Sequence, residues 1–174
     1  MSAGLFAIAA LRQGHLSAAQ VGAESTVLVI ASTLGNFLWG ALGDHLGHRT
    51  VLIGASLCSA GAAALALGAQ GFVPYALVFL LLGLSLSATF LSQLTFIADF
   101  APPARRPTYI AFAFVAYAPF AIGGPIVGGW MADRWGYTPV FIISIAAAAV
   151  AVVIYRFWVP EPRRGAATPV AART

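Results

Sequence analysis

Long apolar stretches separated by short polar islands dominate this chain. No charged residue falls between Arg49 and Asp99, between Arg106 and Asp133, or between Arg134 and Arg156. Each gap is at least as long as the roughly 20 apolar residues a helix needs to cross a 30 Å hydrocarbon core. The first gap is long enough for two crossings, and Gln70-Gly71-Phe72-Val73-Pro74 supplies the turn between them. The pattern therefore predicts five spans, at about 26–43, 50–69, 74–98, 108–132 and 138–158. An apolar stub at 3–11 is too short to cross, and it lacks the basic leader and cleavage site of a signal peptide. A polar stretch at 12–25 follows it. The tail at 159–174, with its prolines and arginines, reads as disordered.

Composition turns this pattern into a fold class. Hydrophobic residues make up 60% of the chain and charged ones 8%, against about 25% charged in an ordinary soluble domain. A soluble protein of 174 residues cannot hide so much apolar surface. The expectation is an all-α, polytopic integral membrane bundle with the lipid bilayer as its solvent.

Charge placement orients the bundle. All nine basic residues are arginine. Five spans put successive loops on alternate sides, so Arg49, Arg105, Arg106, Arg156, Arg163, Arg164 and Arg173 share one side while Arg12 and Arg134 lie on the other. By the positive-inside bias the richer side, with the C-terminus, faces the cytoplasm, and the chain lies multi-pass in the cell's inner (plasma) membrane. The net charge of +4 does not indicate nucleic acid, because the arginines are scattered among short loops. Cys58 sits inside an apolar span, as a small packing residue.

An internal repeat is visible at an offset of 89 residues. Gly40-Ala-Leu-Gly-Asp44-His-Leu-Gly47 aligns with Gly129-Trp-Met-Ala-Asp133-Arg-Trp-Gly136, and Val51-Leu-Ile53 continues weakly against Val140-Phe-Ile142. Three spans separate the copies, which places them on opposite membrane faces and predicts two three-helix units of inverted topology.

The first copy, Gly40-x-x-x-Asp44-His45-x-Gly47-His48-Arg49, resembles the cytoplasmic loop signature of the major facilitator superfamily, with histidine at two of its basic positions. Physically, Gly40 allows close helix approach, Gly47 permits a tight turn at positive φ, and Asp44 can accept hydrogen bonds from amides at a helix N-terminus. Phe100-Ala-Pro-Pro-Ala-Arg-Arg-Pro-Thr-Tyr109, Gly124-Pro125-x-x-Gly128-Gly129 and Val159-Pro-Glu-Pro-Arg-Arg164 are similar, in turn, to the loop before the fifth helix of a half, to its helix-bending element, and to the segment after its sixth helix. The resemblance implies half of that fold: residues 1–158 as a truncated six-helix bundle, with the stub as the end of helix 7 and the spans as helices 8–12. The degenerate loop motif favours this C-terminal half, whereas the Gly-Pro element is more typical of helix 5 and keeps the N-terminal half open. A missing N-terminal half is then the expected partner.

The resemblance also assigns a site. The first, third and fourth full spans would line a central substrate cavity, with the second and fifth facing lipid. The candidate cavity residues are Ser32, Asn36, Thr89, Gln93 and Tyr117. Asn36 and Gln93 are costly to bury in lipid and so face either a cavity or another helix; the serine and threonine hydroxyls can instead bond within their own helices. Pro119 and Pro125, with Gly124, Gly128 and Gly129, form either a hinge or a static bend. Asp99 is expected to pair with Arg105 or Arg49 in a gate at the cytoplasmic end. The three histidines, His15, His45 and His48, lie in loops, and no mid-span carboxylate, histidine or lysine is present. The expectation is therefore no metal, no cofactor and no enzyme. The implied function is transport of a small-molecule substrate by alternating access; the alternative is a non-transporting membrane remnant or a partner subunit.

Overall fold

The computed structural model describes residues 3–100, 102 and 105–158, and of residues 94–100 the backbone alone. Among these residues there are six helices and no strands: α1 (Ala3–Arg12), α2 (Ala18–Leu46), α3 (His48–Gly68), α4 (Phe72–Phe100), α5 (Arg106–Trp135) and α6 (Tyr137–Phe157). Five of them, α2 to α6, are long and apolar enough to cross a membrane. The tail at 159–174 lies outside the described residues.

α2 starts well before the apolar span does. Its first turn is fixed by a capping box in which the Ser17 hydroxyl accepts from the Gln20 amide, while the Ser17 amide donates to the Gln20 side chain at 2.8 Å. Two otherwise orphaned amides are satisfied this way, so the helix runs on through polar Glu24 and Ser25.

α4 lies at the centre. It packs along α2 on one side and α3 on the other, and α3 packs in turn on α6. The α2–α4 approach is very close: a Cβ at Gly83 would collide with the Leu28 carbonyl and the Ala31 methyl, and one at Gly35 with Ser87. Small residues serve this purpose in membranes, where dispersion contacts must replace hydrophobic driving force. Two hydrogen bonds tie the layers together: Trp39 Nε1 donates to the Leu84 carbonyl at 2.8 Å, and Ser85 Oγ to the Ala55 carbonyl at 2.9 Å. α5 is the loosely held helix, with only Gly128 and Ala132 of it buried among the described residues.

The 89-residue repeat is written into the backbone. Shifting α3 by that offset gives the bounds of α6, and shifting α2 gives those of α5 to within one residue. Both helix pairs are joined by a single glycine: Gly47 at φ 86°, ψ 160° and Gly136 at φ 81°, ψ 176°. Each donates its amide to a carbonyl four residues back, Gly43 at 3.1 Å and Ala132 at 3.0 Å. That backbone region is open essentially to glycine alone.

Gly47→Ala and Gly136→Ala should therefore each cost about 1–3 kcal/mol. Thermal unfolding in detergent should show a clear fall in Tm for both. Gly22→Ala, in the exposed helical face of α2 where a methyl meets nothing within 4 Å, should show no fall.

Candidate functional site: a cleft beside α5

Because α5 stands away from its neighbours, three adjoining cavities open between it and α3, α4 and α6. One lobe, of about 320 Å³, is lined by Ser92 and Gln93 of α4, Phe114 and Tyr117 of α5, and Leu52 and Tyr155. A second, of about 300 Å³, shares Tyr117 and Tyr155 and adds Thr89, Ser56, Ser59 and Ser144. A third, of about 340 Å³, runs between α5 and α6 past Pro119, Gly124 and Gly128. Their walls are mainly apolar with a few hydroxyls and one amide, the usual make-up of a small-molecule pocket.

Three of the expected cavity residues meet here: Thr89, Gln93 and Tyr117. The Thr89 hydroxyl is spent on its own helix, donating to the Ser85 carbonyl at 2.8 Å. Ser32 and Asn36 lie elsewhere, on α2; Ser32 is half-buried and donates to the Val29 carbonyl at 2.9 Å, and Asn36 is exposed on the bundle's outer surface. Ser92 is the most suggestive neighbour of Gln93. It is fully buried, it lines the cleft, and its hydroxyl has no hydrogen-bond partner. Such a group is costly to leave unmatched unless something else supplies the bond.

The lining differs from the family analogy in two respects: α3 and α6 contribute to it as well as α4 and α5, and, among the described residues, α2 contributes nothing. Tyr155, Ser56, Ser59 and Ser144 are the residues that sequence reasoning passed over. Tyr155 stands next to Arg156 and so reads, in sequence, as part of an interfacial aromatic belt. Three serines in Ala-rich spans give no polar stripe to notice.

The bend element lies within one continuous helix. Pro119 and Pro125 are interior to α5, where their missing amides leave the carbonyls of Val115 and Ala121 without their usual partners. Gly128 is buried against Leu5 of α1, whose side chain an added Cβ would strike. Pro125 and Gly129 are half-buried on the same helix.

At the Gly47 end of the bundle, Gly40 is half-buried and Asp44 exposed. Arg49 reaches across from α3, and its guanidinium donates to the Arg156 carbonyl in the last turn of α6. A cation there complements the partial negative charge of a helix C-terminus. Arg105 is the exposed N-cap of α5, and the Asp99 side chain of the expected gate pair lies outside the described residues. At the Gly136 end, Arg12 pairs with Asp133 at 2.8 Å, and this partner raises the arginine's already high pKa. Both side chains are largely exposed, so the pair is worth little in isolation.

The family model described as Major Facilitator Superfamily matches the chain over residues 1–174. The multi-drug resistance efflux pump PmrA homolog of Lactococcus lactis is 30% identical over 145 residues, which cover 80% of this chain and 34% of the relative. Multidrug resistance protein MdtG of Salmonella choleraesuis is 26% identical over 140 residues, covering 80% and 34%. The 4-hydroxybenzoate transporter PcaK of Pseudomonas putida is 22% identical over 161 residues, covering 92% and 36%. The chain thus spans about a third of the length of the curated relatives it matches. No solved structure matches it.

Removing the charged donor with Arg49→Gln should loosen the end of α6, at a cost of about 1–2 kcal/mol. Hydrogen exchange should accelerate at residues 154–157 and stay unchanged in the middle of that helix.

Proposed function

The chain belongs to the major facilitator superfamily, and from that membership we propose that it forms one wall of a secondary transporter moving a small solute by alternating access. The observation that carries this reading is the cleft beside α5, in which Gln93, Ser92, Tyr117 and Tyr155 face a largely apolar space. An unpartnered hydroxyl, a neutral amide and two phenols suit a weakly polar solute with an aromatic or aliphatic body. They offer no fixed charge to a strongly ionic one. Among the relatives are multidrug efflux pumps and a transporter of 4-hydroxybenzoate, which is consistent with an aromatic or amphiphilic substrate for this chain. The same reading makes the protein a carrier and not an enzyme.

The transport reading calls for a second bundle. The chain spans about a third of its relatives' length, and α5 leaves Phe112, Phe120 and Val115 at 70% exposure or more. We take the partner to be the complementary half of the transporter and this chain to be the C-terminal half, with its loop motif and C-terminus in the cytoplasm. One feature supports that assignment: His45 and His48 stand at basic positions of the loop motif. Asn36 and Ser32, on the α2 surface, would then face the partner across the central cavity. Asp99 and Arg105 would close its cytoplasmic end.

The test is uptake or efflux of a fluorescent aromatic dye by cells expressing the chain with a complementary six-helix half from a relative. Gln93→Ala and Tyr117→Ala should each lower the transport rate by about tenfold, the value of one well-placed polar contact, with membrane abundance unchanged. Leu57→Ala, on the outer face of α3, should have no effect. Equal transport by all three variants would remove the cleft from the pathway. Full-rate transport in liposomes by the 174-residue chain alone would remove the need for a partner. No transport under either condition would favour a non-transporting partner subunit.

A further inference from the structure

The middle one of the three cavities, of about 300 Å³, is walled by hydroxyls whose protons are already spent. Ser56 of α3 donates to the Leu52 carbonyl at 3.0 Å. Ser85 of α4 donates across to the Ala55 carbonyl of α3 at 2.9 Å, and Thr89 donates to the Ser85 carbonyl at 2.8 Å. Ser144 of α6 commits its proton in the same way, to the Val140 carbonyl at 2.7 Å. A hydroxyl has one proton to give and two lone pairs to accept with. Ser56, Ser85 and Thr89 therefore meet the cavity as acceptors.

No backbone amide redresses this balance, because amides inside a membrane helix are taken up by the carbonyls four residues back. The prolines of α5 tilt it further. Pro119 and Pro125 bring no amide, so the carbonyls of Val115 and Ala121 lack theirs. No charged side chain is among the described residues that line any of the three cavities. The hydroxyls of Ser59, Tyr117 and Tyr155 can turn to suit either kind of ligand, and so do not choose between them.

We propose that the middle cavity selects solutes that carry a hydrogen-bond donor and rejects those whose polar end only accepts. This selectivity rests on the proposed role of the cleft as a solute site, and it narrows the substrate class to a neutral amphiphile with an O–H or N–H group on an apolar body. The donor end lies against Ser56, Ser85 and Thr89. The body extends into the cavity between α5 and α6, which shares Ser144 and Ala147 with the middle one and is walled by Phe120, Val127 and Ile143. A phenol, an arylamine or an indole meets the middle wall with its proton foremost. An ether or a ketone brings lone pairs against lone pairs, and a hydroxyl must then turn its proton out of a bond already made. A carboxylate must in addition leave water with no counter-charge to meet it.

In the test, the full 174-residue chain in lipid nanodiscs is dialysed at about pH 7 against radiolabelled 2-naphthol, its methyl ether or 2-naphthoate. Empty nanodiscs of the same lipid give the partition to be subtracted. The naphthol, neutral there as a tyrosine phenol is, should bind about tenfold more tightly than the ether, the value of one hydrogen bond. The naphthoate should bind more weakly than either. In the double variant Ser56→Ala, Thr89→Val the preference for naphthol over ether should largely disappear, whereas a merely steric dislike of the extra methyl would survive. Thr26→Val removes a hydroxyl bonded in the same way, to the Gly22 carbonyl at 3.2 Å on the exposed face of α2, and should keep the preference. The comparison of probes on the native chain needs no variant, so a poorly folded double variant would leave it intact. Equal or tighter binding of the ether or the naphthoate, or a preference undiminished in the folded double variant, would overturn the selectivity while leaving the cleft as a solute site. Saturable binding of none of the probes would remove the cavity itself as a solute site, and the transport role of the cleft with it.

Discussion

The close contact of α2 with α4, backbone almost against side chain at Gly83 and Gly35, is the constraint on which the rest of the bundle depends. In lipid nothing pushes apolar helices together, so they stay paired only where surfaces fit closely enough for dispersion and a few hydrogen bonds to hold them. The small residues bring the α2 and α4 axes near enough for Trp39 to reach the Leu84 carbonyl. That ring then lies over Gly54 of α3, where even a methyl group would not fit. Through α4 and α3 the contact fixes α6. It does not fix α5, and the cleft lies where this chain of close contacts ends.

Much of this architecture could be read from the sequence, because the bilayer leaves few alternatives. Backbone polar groups in hydrocarbon must be satisfied within the helix, so charge-free runs of sufficient length announce their own structure. The repeat was legible for a second reason. A glycine at φ near +80° joins the helices at both Gly47 and Gly136, and few other residues could stand there, so the motif survived in both copies. The early start of α2 was also written in the chain, as Ser17-x-x-Gln20, but a short capping signal is easily outweighed by a polar stretch that looks like a loop.

The site was harder to read, and the reason is geometric. Helical periodicity tells which residues share a face but not which neighbour that face meets. Ser32 and Asn36 are spaced i, i+4 on α2 as Thr89 and Gln93 are on α4, yet only the second pair borders the cleft. Tyr155 reaches it from α6 because α5 stands off, and no local pattern encodes that separation. Arg49 shows the same limit. Among the described residues it meets a backbone carbonyl at the end of α6, an acceptor present at every helix terminus and so invisible to any search for opposite charges.

The two ends of the bundle are built on the same turn but closed by different chemistry. At Gly47 the adjoining helix end is met by Arg49, a permanent cation held by a backbone dipole. At Gly136 the closing elements are α1, packed through Phe6 on Phe141, an exposed ion pair, and the buried carboxyl of Glu24. A guanidinium keeps its charge at any physiological pH, while the Glu24 carboxyl is fully buried with, among the described residues, neither oxygen hydrogen-bonded. An inverted repeat makes the two ends equivalent in backbone. The side chains then break that equivalence, with a guanidinium on a helix end at one side and a short packed helix with an exposed ion pair at the other. The asymmetry rests on a few residues added to a symmetric frame.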